Sequence, residues 1–207
     1  MPQKRTITPG FHEAERAQVA GLFWQAFGPK LGKVMRPEAR ALAFFETALN
    51  PEFALVARDA QGRLLGLAGF KTDQGGMAGG SLAQLAQVYG WVGAMWRGMV
   101  LSVLERKVQA GVFQMDGIFV DAAARGMGVG TALLQAVADA AAARGLEQVQ
   151  LDVIDTNPRA RALYERVGFR ATSTEQTGPF KWVFGFDSAT RMVLPVVPGD
   201  DGQMTKL

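Results

Sequence analysis

The run Arg125-Gly126-Met127-Gly128-Val129-Gly130 sets an arginine and three glycines directly before an alanine- and leucine-rich stretch of helical composition. A helix start presents unpaired backbone N–H donors and the positive end of the helix dipole, and glycines let an anion approach those donors closely. The chemistry on offer is the holding of a phosphate. Two well-known phosphate loops are excluded by pattern: no Gly-Lys-Ser or Gly-Lys-Thr occurs, and the glycines run G-x-G-x-G where a dinucleotide fingerprint needs G-x-G-x-x-G. Taken alone, such a cluster also suits a plain tight turn. Downstream, Asn157-Pro158 opens a second helical run, in which Tyr164 stands two turns beyond Asn157 on nearly the same face. Asn-Pro is a good helix start in its own right, the amide oxygen accepting from the first turn.

Arg125, Gly128 and Gly130 match the R-x-x-G-x-G pyrophosphate-binding pattern of the GNAT superfamily of N-acetyltransferases. Asn157, Ala160 and Leu163-Tyr164 through Gly168-Phe169 resemble the N-x-x-A-x-x-L-Y-x-x-x-G-F signature of the same superfamily, so the resemblance spans Met115 to Phe169. It implies an α/β fold with a mixed, mostly antiparallel central sheet, a central βαβα unit that binds acetyl-coenzyme A, and flanking helices. The activity it implies is acetyl transfer to a primary amine on a small molecule or peptide. The cofactor would lie in a V-shaped opening between the fourth and fifth strands, read here as Phe113 to Val120 and Gln148 to Ile154. By the same resemblance Arg125 and the amides of Gly126, Gly128, Gly130 and Thr131 would meet the pyrophosphate. The backbone of Ile118 and Val120 would align the pantetheine arm, the Ile118 N–H would polarise the thioester carbonyl, Asn157 would bond the pantetheine amides, and Tyr164 would face the sulfur.

Aminolysis of a thioester needs a neutral amine, a stabilised oxyanion and a protonated leaving thiolate. A phenol with an ordinary pKa near 10 can supply a proton to a thiolate whose conjugate acid lies near 8.5, which suits Tyr164. The proton acceptor is open between two carboxylates and water. Gln114 falls where some related histone acetyltransferases carry a glutamate, and an amide cannot take the proton. Asp116, expected to share a strand face with Gln114 and Ile118, is one candidate. Asp152 is the other, in the acidic position used by acetyltransferases that resemble the ribosomal-protein N-terminal type. Either can instead be structural, and an α-amine acceptor needs no dedicated base beyond ordered water.

The composition narrows the field further. The chain of 207 residues has no cysteine, which removes disulfides, thiolate metal sites and a thiol-linked acetyl-enzyme, so direct transfer in a ternary complex is the expected route. One histidine, His12, rules out a histidine-rich metal centre and reads as a polar residue at a helix start. No metal is expected. A net charge of +3 is too slight to indicate a nucleic-acid partner, although Arg125, Arg144, Arg159, Arg161, Arg166 and Arg170 cluster in the sequence around the anion loop. For each of these a solvated helix face is the plainer use. The first residues carry no secretory signal, and a cytoplasmic protein is expected.

The elements that must position these residues follow from periodicity and punctuation. Thr6 to Phe11 reads as a strand, His12 to Phe27 as a helix ended by Gly28-Pro29, and Pro37 to Leu49 as a second helix stopped by Asn50-Pro51. Phe53 to Ala57 and Leu64 to Phe70 read as a hairpin, and Arg170 to Gln176 and Ala189 to Leu194 as the last strands. Gln74 to Trp96 is uncharged and long enough to span a bilayer, yet it is rich in Gly, Gln and Ser. Leu82, Leu85, Val88, Tyr89, Val92 and Trp96 recur near helical spacing, which predicts a helix packed on the protein, on a second subunit in a homodimer, or as a wall of the acceptor pocket. No membrane association is expected. Residues 1–195 are read as one domain and 196–207 as a mobile tail. Besides the N-acetyltransferase, a catalytically silent acyl-coenzyme A sensor and a transferase of longer acyl groups would use the same groove.

Overall fold

The computed structural model describes residues 5–102, 111–178 and 181–197. In chain order its elements are β1 (Thr6–Pro9), α1 (Arg16–Met35), α2 (Glu38–Ala48), β2 (Ala54–Arg58), β3 (Leu64–Thr72), β4 (Gly75–Gly76) and α3 (Leu82–Ser102). After these come β5 (Val112–Val120), α4 (Val129–Ala142), β6 (Gln148–Ile154), α5 (Pro158–Val167), β7 (Arg170–Gln176), α6 (Lys181–Phe184) and β8 (Ser188–Pro195). The strands form one sheet of order β1-β2-β3-β5-β6-β8-β7, with β4 folded back on the end of β3. Every neighbouring pair is antiparallel except β5 and β6. That exception follows from α4, because a parallel pair needs a crossover to bring the chain back to its starting edge. The mixed, mostly antiparallel sheet expected from the sequence is therefore present. Its fourth and fifth strands are β5 and β6 here, because the glycine-rich stretch after β3 supplies a two-residue strand that periodicity does not reveal.

The sheet is covered on both faces. α1, α2 and α3 pack on one side with Val56, Leu67 and Phe119, whereas α4 and α5 pack on the other with Phe70, Phe113, Met115, Val149 and Leu151. This is why β2 is buried at every position instead of alternating.

Two helices depart from the sequence reading. α1 does not end at Gly28-Pro29 but runs through Pro29 to Met35. An interior proline costs about 3 kcal/mol. Beyond it Leu31, Val34 and Met35 are buried, and each such side chain contributes about 1.5–3 kcal/mol, so burial outweighs the break. α3 does form in the uncharged stretch, but Gly90 breaks it with φ 70 and ψ 163, backbone that a residue with a side chain rarely adopts. The break shifts the helical phase. Leu85 and Tyr89 face the core as expected, whereas Val92 is 84% exposed and Trp91, Met95 and Met99 are exposed with it. Arg97 fixes the second half by lying 4.0 Å over the Tyr89 ring and donating to the Val34 carbonyl at 2.9 Å.

Among the described residues no helix is long and apolar enough to cross a membrane. Of the expected tail, Val196 N–H donates to the Glu147 carbonyl at 2.9 Å, and residues 198–207 lie outside the described residues.

Candidate active site

β5 and β6 pair only through Val112↔Gln148, Phe113↔Val149 and Gln114↔Gln150, although β5 continues to Val120 and β6 to Ile154. Beyond that last rung the sheet parts. Gln150, buried, donates from Nε2 to Gln114 Oε1 at 3.0 Å and closes the apex of the opening, which is the use this fold makes of Gln114. The far edge of β5 stays paired with β3 as far as Val120. Asp121 N–H donates to the Leu65 carbonyl at 2.9 Å. Since backbone direction alternates along a strand, this turns the Ile118 and Val120 amides away from β3 and into the opening.

The β3–β5 ladder slips by one residue: Gly69 opposes Gly117 and Phe70 opposes Met115, leaving Asp116 as the extra residue of a β-bulge. The bulge overturns the expectation that Asp116 shares a face with Ile118. Phe113, Met115, Ile118 and Val120 all pack toward α4, whereas Phe119 packs toward α1 and the Cβ position of Gly117 lies 3.8 Å from Phe27. Asp116 lies with Gln114 in the lining of a cavity of about 570 Å³ enclosed by the sheet, α1, α2 and α3. Its neighbour there is Lys71, whose Nζ is 3.5 Å from Asp116 Oδ1. Asp116 Oδ2 is buried with no hydrogen-bond partner among the described residues. Burial pushes the carboxyl above the usual carboxylate range, opposed by the Lys71 charge and the Ala78 amide.

Asp152 lines the same cavity from β6, opposite Arg191 in the β6–β8 register. Arg191 Nε is 3.5 Å from Asp152 Oδ1, and its Nη2 is 3.6 Å from Glu175 Oε1 on β7. Asp152 therefore takes part in a cross-strand ion network. The remaining walls are largely apolar and include the aromatic side chains of Phe23, Phe27, Phe44, Phe45, Phe184 and Phe186. Leu82 and Leu85 of α3 also line the cavity, so the uncharged stretch is both a packed helix and part of the wall.

On the other side of the sheet the glycine run ends in Gly128, the N-cap of α4, with φ 77. The first bond inside α4 runs from Ala132 N–H to the Gly128 carbonyl, so the amides of Val129, Gly130 and Thr131 have no acceptor within the helix. Arg125 is exposed beside them, following a 3-10 turn at Ala122–Ala124. Gly130 has a packing reason as well: a Cβ there would lie 3.0 Å from Leu163 of α5. Of the clustered arginines, Arg144 sits at the far end of α4 over the Phe70 and Phe113 rings, and Arg161 pairs with Glu165 at 2.9 Å.

One residue at this loop is invisible in the sequence. Arg5, just before β1, donates from Nη2 to the Met127 carbonyl at 2.7 Å, and its Nη1 lies 3.3 Å from where a Cβ on Gly128 would stand. Nothing local marks it. Only the pairing of β1 at the sheet edge carries it there.

Asn157 caps α5, its Oδ1 accepting from Ala160 N–H at 3.2 Å. Tyr164, 7% exposed, packs on the α4 side with Phe169 at 5.8 Å between ring centres. Burial pushes its phenol up to about 12. Tyr164 is thus on the opposite side of the sheet from the cavity, and the β5–β6 opening lies between the two.

A mixed sheet parted at its one parallel pair, with a capped glycine loop on one side and an acidic cavity on the other, defines a class, and sequence comparison names it. Residues 17–169 match the model of the acetyltransferase (GNAT) family, and the chain belongs to that family. A mycothiol acetyltransferase of Clavibacter michiganensis subsp. michiganensis is 34% identical over 130 residues, covering 63% of this chain but 31% of that protein, so the match spans under a third of the relative. Among solved structures, an N-acetyltransferase from Staphylococcus aureus Mu50 superposes with a TM-score of 0.67 at 16% identity, covering 91% of this chain and 100% of that one. A GCN5-related N-acetyltransferase from Kribbella flavida gives 0.57 at 22%, covering 93% and 98%. These structures share the fold.

Proposed function

We propose that this chain transfers an acetyl group from acetyl-coenzyme A to a primary amine by direct attack in a ternary complex, with residues 1–195 acting as one domain. The observation that carries the reading is Asp116: a bulged, buried carboxylate with an unsatisfied oxygen, where the cavity meets the β5–β6 opening.

The residues present fit the cofactor. The three free amides of α4, with Arg125 and Arg5, supply donors and positive charge for a pyrophosphate, and the inward Ile118 and Val120 amides suit an extended, amide-bearing arm. Asn157 keeps its amide nitrogen for that arm while its oxygen caps α5. When bound, acetyl-coenzyme A supplies an activated acyl carbonyl. The Ile118 N–H stabilises negative charge growing on the carbonyl oxygen. Asp116 Oδ2 accepts the proton of the attacking amine from the cavity side, and Tyr164 returns a proton to the departing sulfur from the other. Asp152 holds Arg191, which bridges to Glu175, and shapes the acidic wall.

Incubation with acetyl-coenzyme A and a panel of primary amines, followed by free-thiol release and mass spectrometry of the acceptor, tests this. Amine-dependent thiol release with a 42-dalton gain on the acceptor, about one acetyl for one proton, is expected. Thiol release without an acetylated amine across the panel would reject it.

A further inference from the structure

The cavity contains one charged group that the transfer chemistry leaves unused. Lys30, on α1, lines it with Asp116, yet unlike Lys71 and Arg191 it has no carboxylate partner among the described residues. Its Nζ sits 4.9 Å from the Phe27 ring centre and 5.7 Å from that of Phe186. Two aromatic faces attract a cation but do not replace hydrogen-bond acceptors for its three N–H donors. Burial accordingly lowers the ammonium to about 8, so at neutral pH it remains mostly charged, beside two aromatic rings and without a carboxylate among the described residues.

Its position relative to the acidic wall is defined by Phe27. The ring that meets Lys30 on one side has its Cζ 3.8 Å from the Cβ position of Gly117, the residue next to Asp116. Phe27 therefore meets both Lys30 and the strand position next to Asp116, and Phe27, Lys30 and Asp116 all line the one cavity. The acidic pole comprises Asp116, Asp152 and Glu175, with Lys71 and Arg191 among its ion partners, and Phe27, Phe184 and Phe186 are among the aromatic residues that line the same cavity.

We infer that Lys30 is an anion-recognition site and that the acceptor is an amino carboxylate: an amine that approaches Asp116, a short apolar body against Phe27 and its aromatic neighbours, and a carboxylate on Lys30. The inference rests on the reading of this cavity as the acceptor site. A carboxylate at Lys30 satisfies the ammonium's donors in a desolvated place, where a charge-assisted bond is strong. A neutral amide of the same shape leaves the charge unmet.

The test uses matched pairs in which an apolar spacer separates the two groups, such as 4-(aminomethyl)benzoate with 4-(aminomethyl)benzamide and 5-aminopentanoate with 5-aminopentanamide. Each is titrated calorimetrically into wild type, Lys30→Met and Lys30→Arg, all saturated with coenzyme A. Wild type should bind at least one carboxylate about tenfold or more tighter than its amide, the scale of one charged hydrogen bond. The ratio should fall to near one in Lys30→Met and persist in Lys30→Arg. Because the readout is a ratio within each variant, loss of some folded protein does not imitate it. Equal affinity within every wild-type pair, no binding by any member, or a preference that survives in Lys30→Met would each overturn the inference. Carboxylate-selective binding that yields no thiol release with acetyl-coenzyme A would leave the anion site standing and count against the transfer reading instead.

Discussion

Asp116 and Tyr164 are both pushed toward their neutral forms by burial, and the consequences for a pH profile are opposite. Tyr164, raised to about 12, remains a proton donor through the working range and contributes no limb below strongly alkaline pH. Tyr164→Phe should lower turnover about a hundredfold, the scale for a positioned proton donor, while calorimetry shows unchanged affinity for acetyl-coenzyme A. Joint loss of turnover and affinity would make Tyr164 structural. Asp116, raised above the ordinary carboxylate range, should produce an acidic limb in kcat/KM that Asp116→Asn abolishes and Asp152→Asn leaves in place. The stability sign is set by linkage: between the unfolded and folded pKa values the folded state holds more protons, so stability falls as pH rises through the folded pKa. Thermal melts of Asp116→Asn should therefore gain on wild type as pH increases from 4 to 8, whereas a difference that shrinks with pH would contradict a raised Asp116 pKa. The motif carried Tyr164 and Asn157 into view at the sequence level. The facing of Asp116 was not legible, because a one-residue bulge reverses strand phase without changing composition.

At the scale of elements, the βαβα unit was readable because alternating apolar strands and a capped helix repeat at fixed periods. The failures were places where tertiary contact outweighs local preference: the passage of α1 through Pro29, the break in α3, and the arrival of Arg5 at the glycine loop. Gly90→Ala, which forces a side chain into a backbone region that costs about 1–3 kcal/mol, should lower Tm by several degrees in a chain of this size. An unchanged Tm would mean that the two halves of α3 can re-register as one helix. Arg5→Gln should raise the KM for acetyl-coenzyme A about tenfold or more and leave that for acetyl-pantetheine, which lacks the phosphates, unchanged. Equal losses with both donors would assign Arg5 to tethering β1 and not to phosphate binding.

For the whole molecule, the sheet is continuous only when something fills the β5–β6 opening. Acetyl-coenzyme A at a hundred times its Kd should stabilise the fold by about 2.7 kcal/mol, and hydrogen exchange should slow at the Ile118 and Val120 amides specifically. A thermal shift without protection at those two amides would place the cofactor elsewhere.

The same parting has a consequence for how the chain avoids its own kind. A sheet that divides internally has four edges. Its outer ones are blunt: β1 is four residues long and ends in Pro9, while β7 is exposed along its length and polar at every position but Ala171. The inner pair, along the unpaired ends of β5 and β6, can be reached only lengthwise because each strand is held by a continuous neighbour on its far side. A foreign strand arriving side-on, as in aggregation, finds no purchase there. A slim molecule threaded by its end does, so the geometry that creates sticky backbone also decides what is narrow enough to use it.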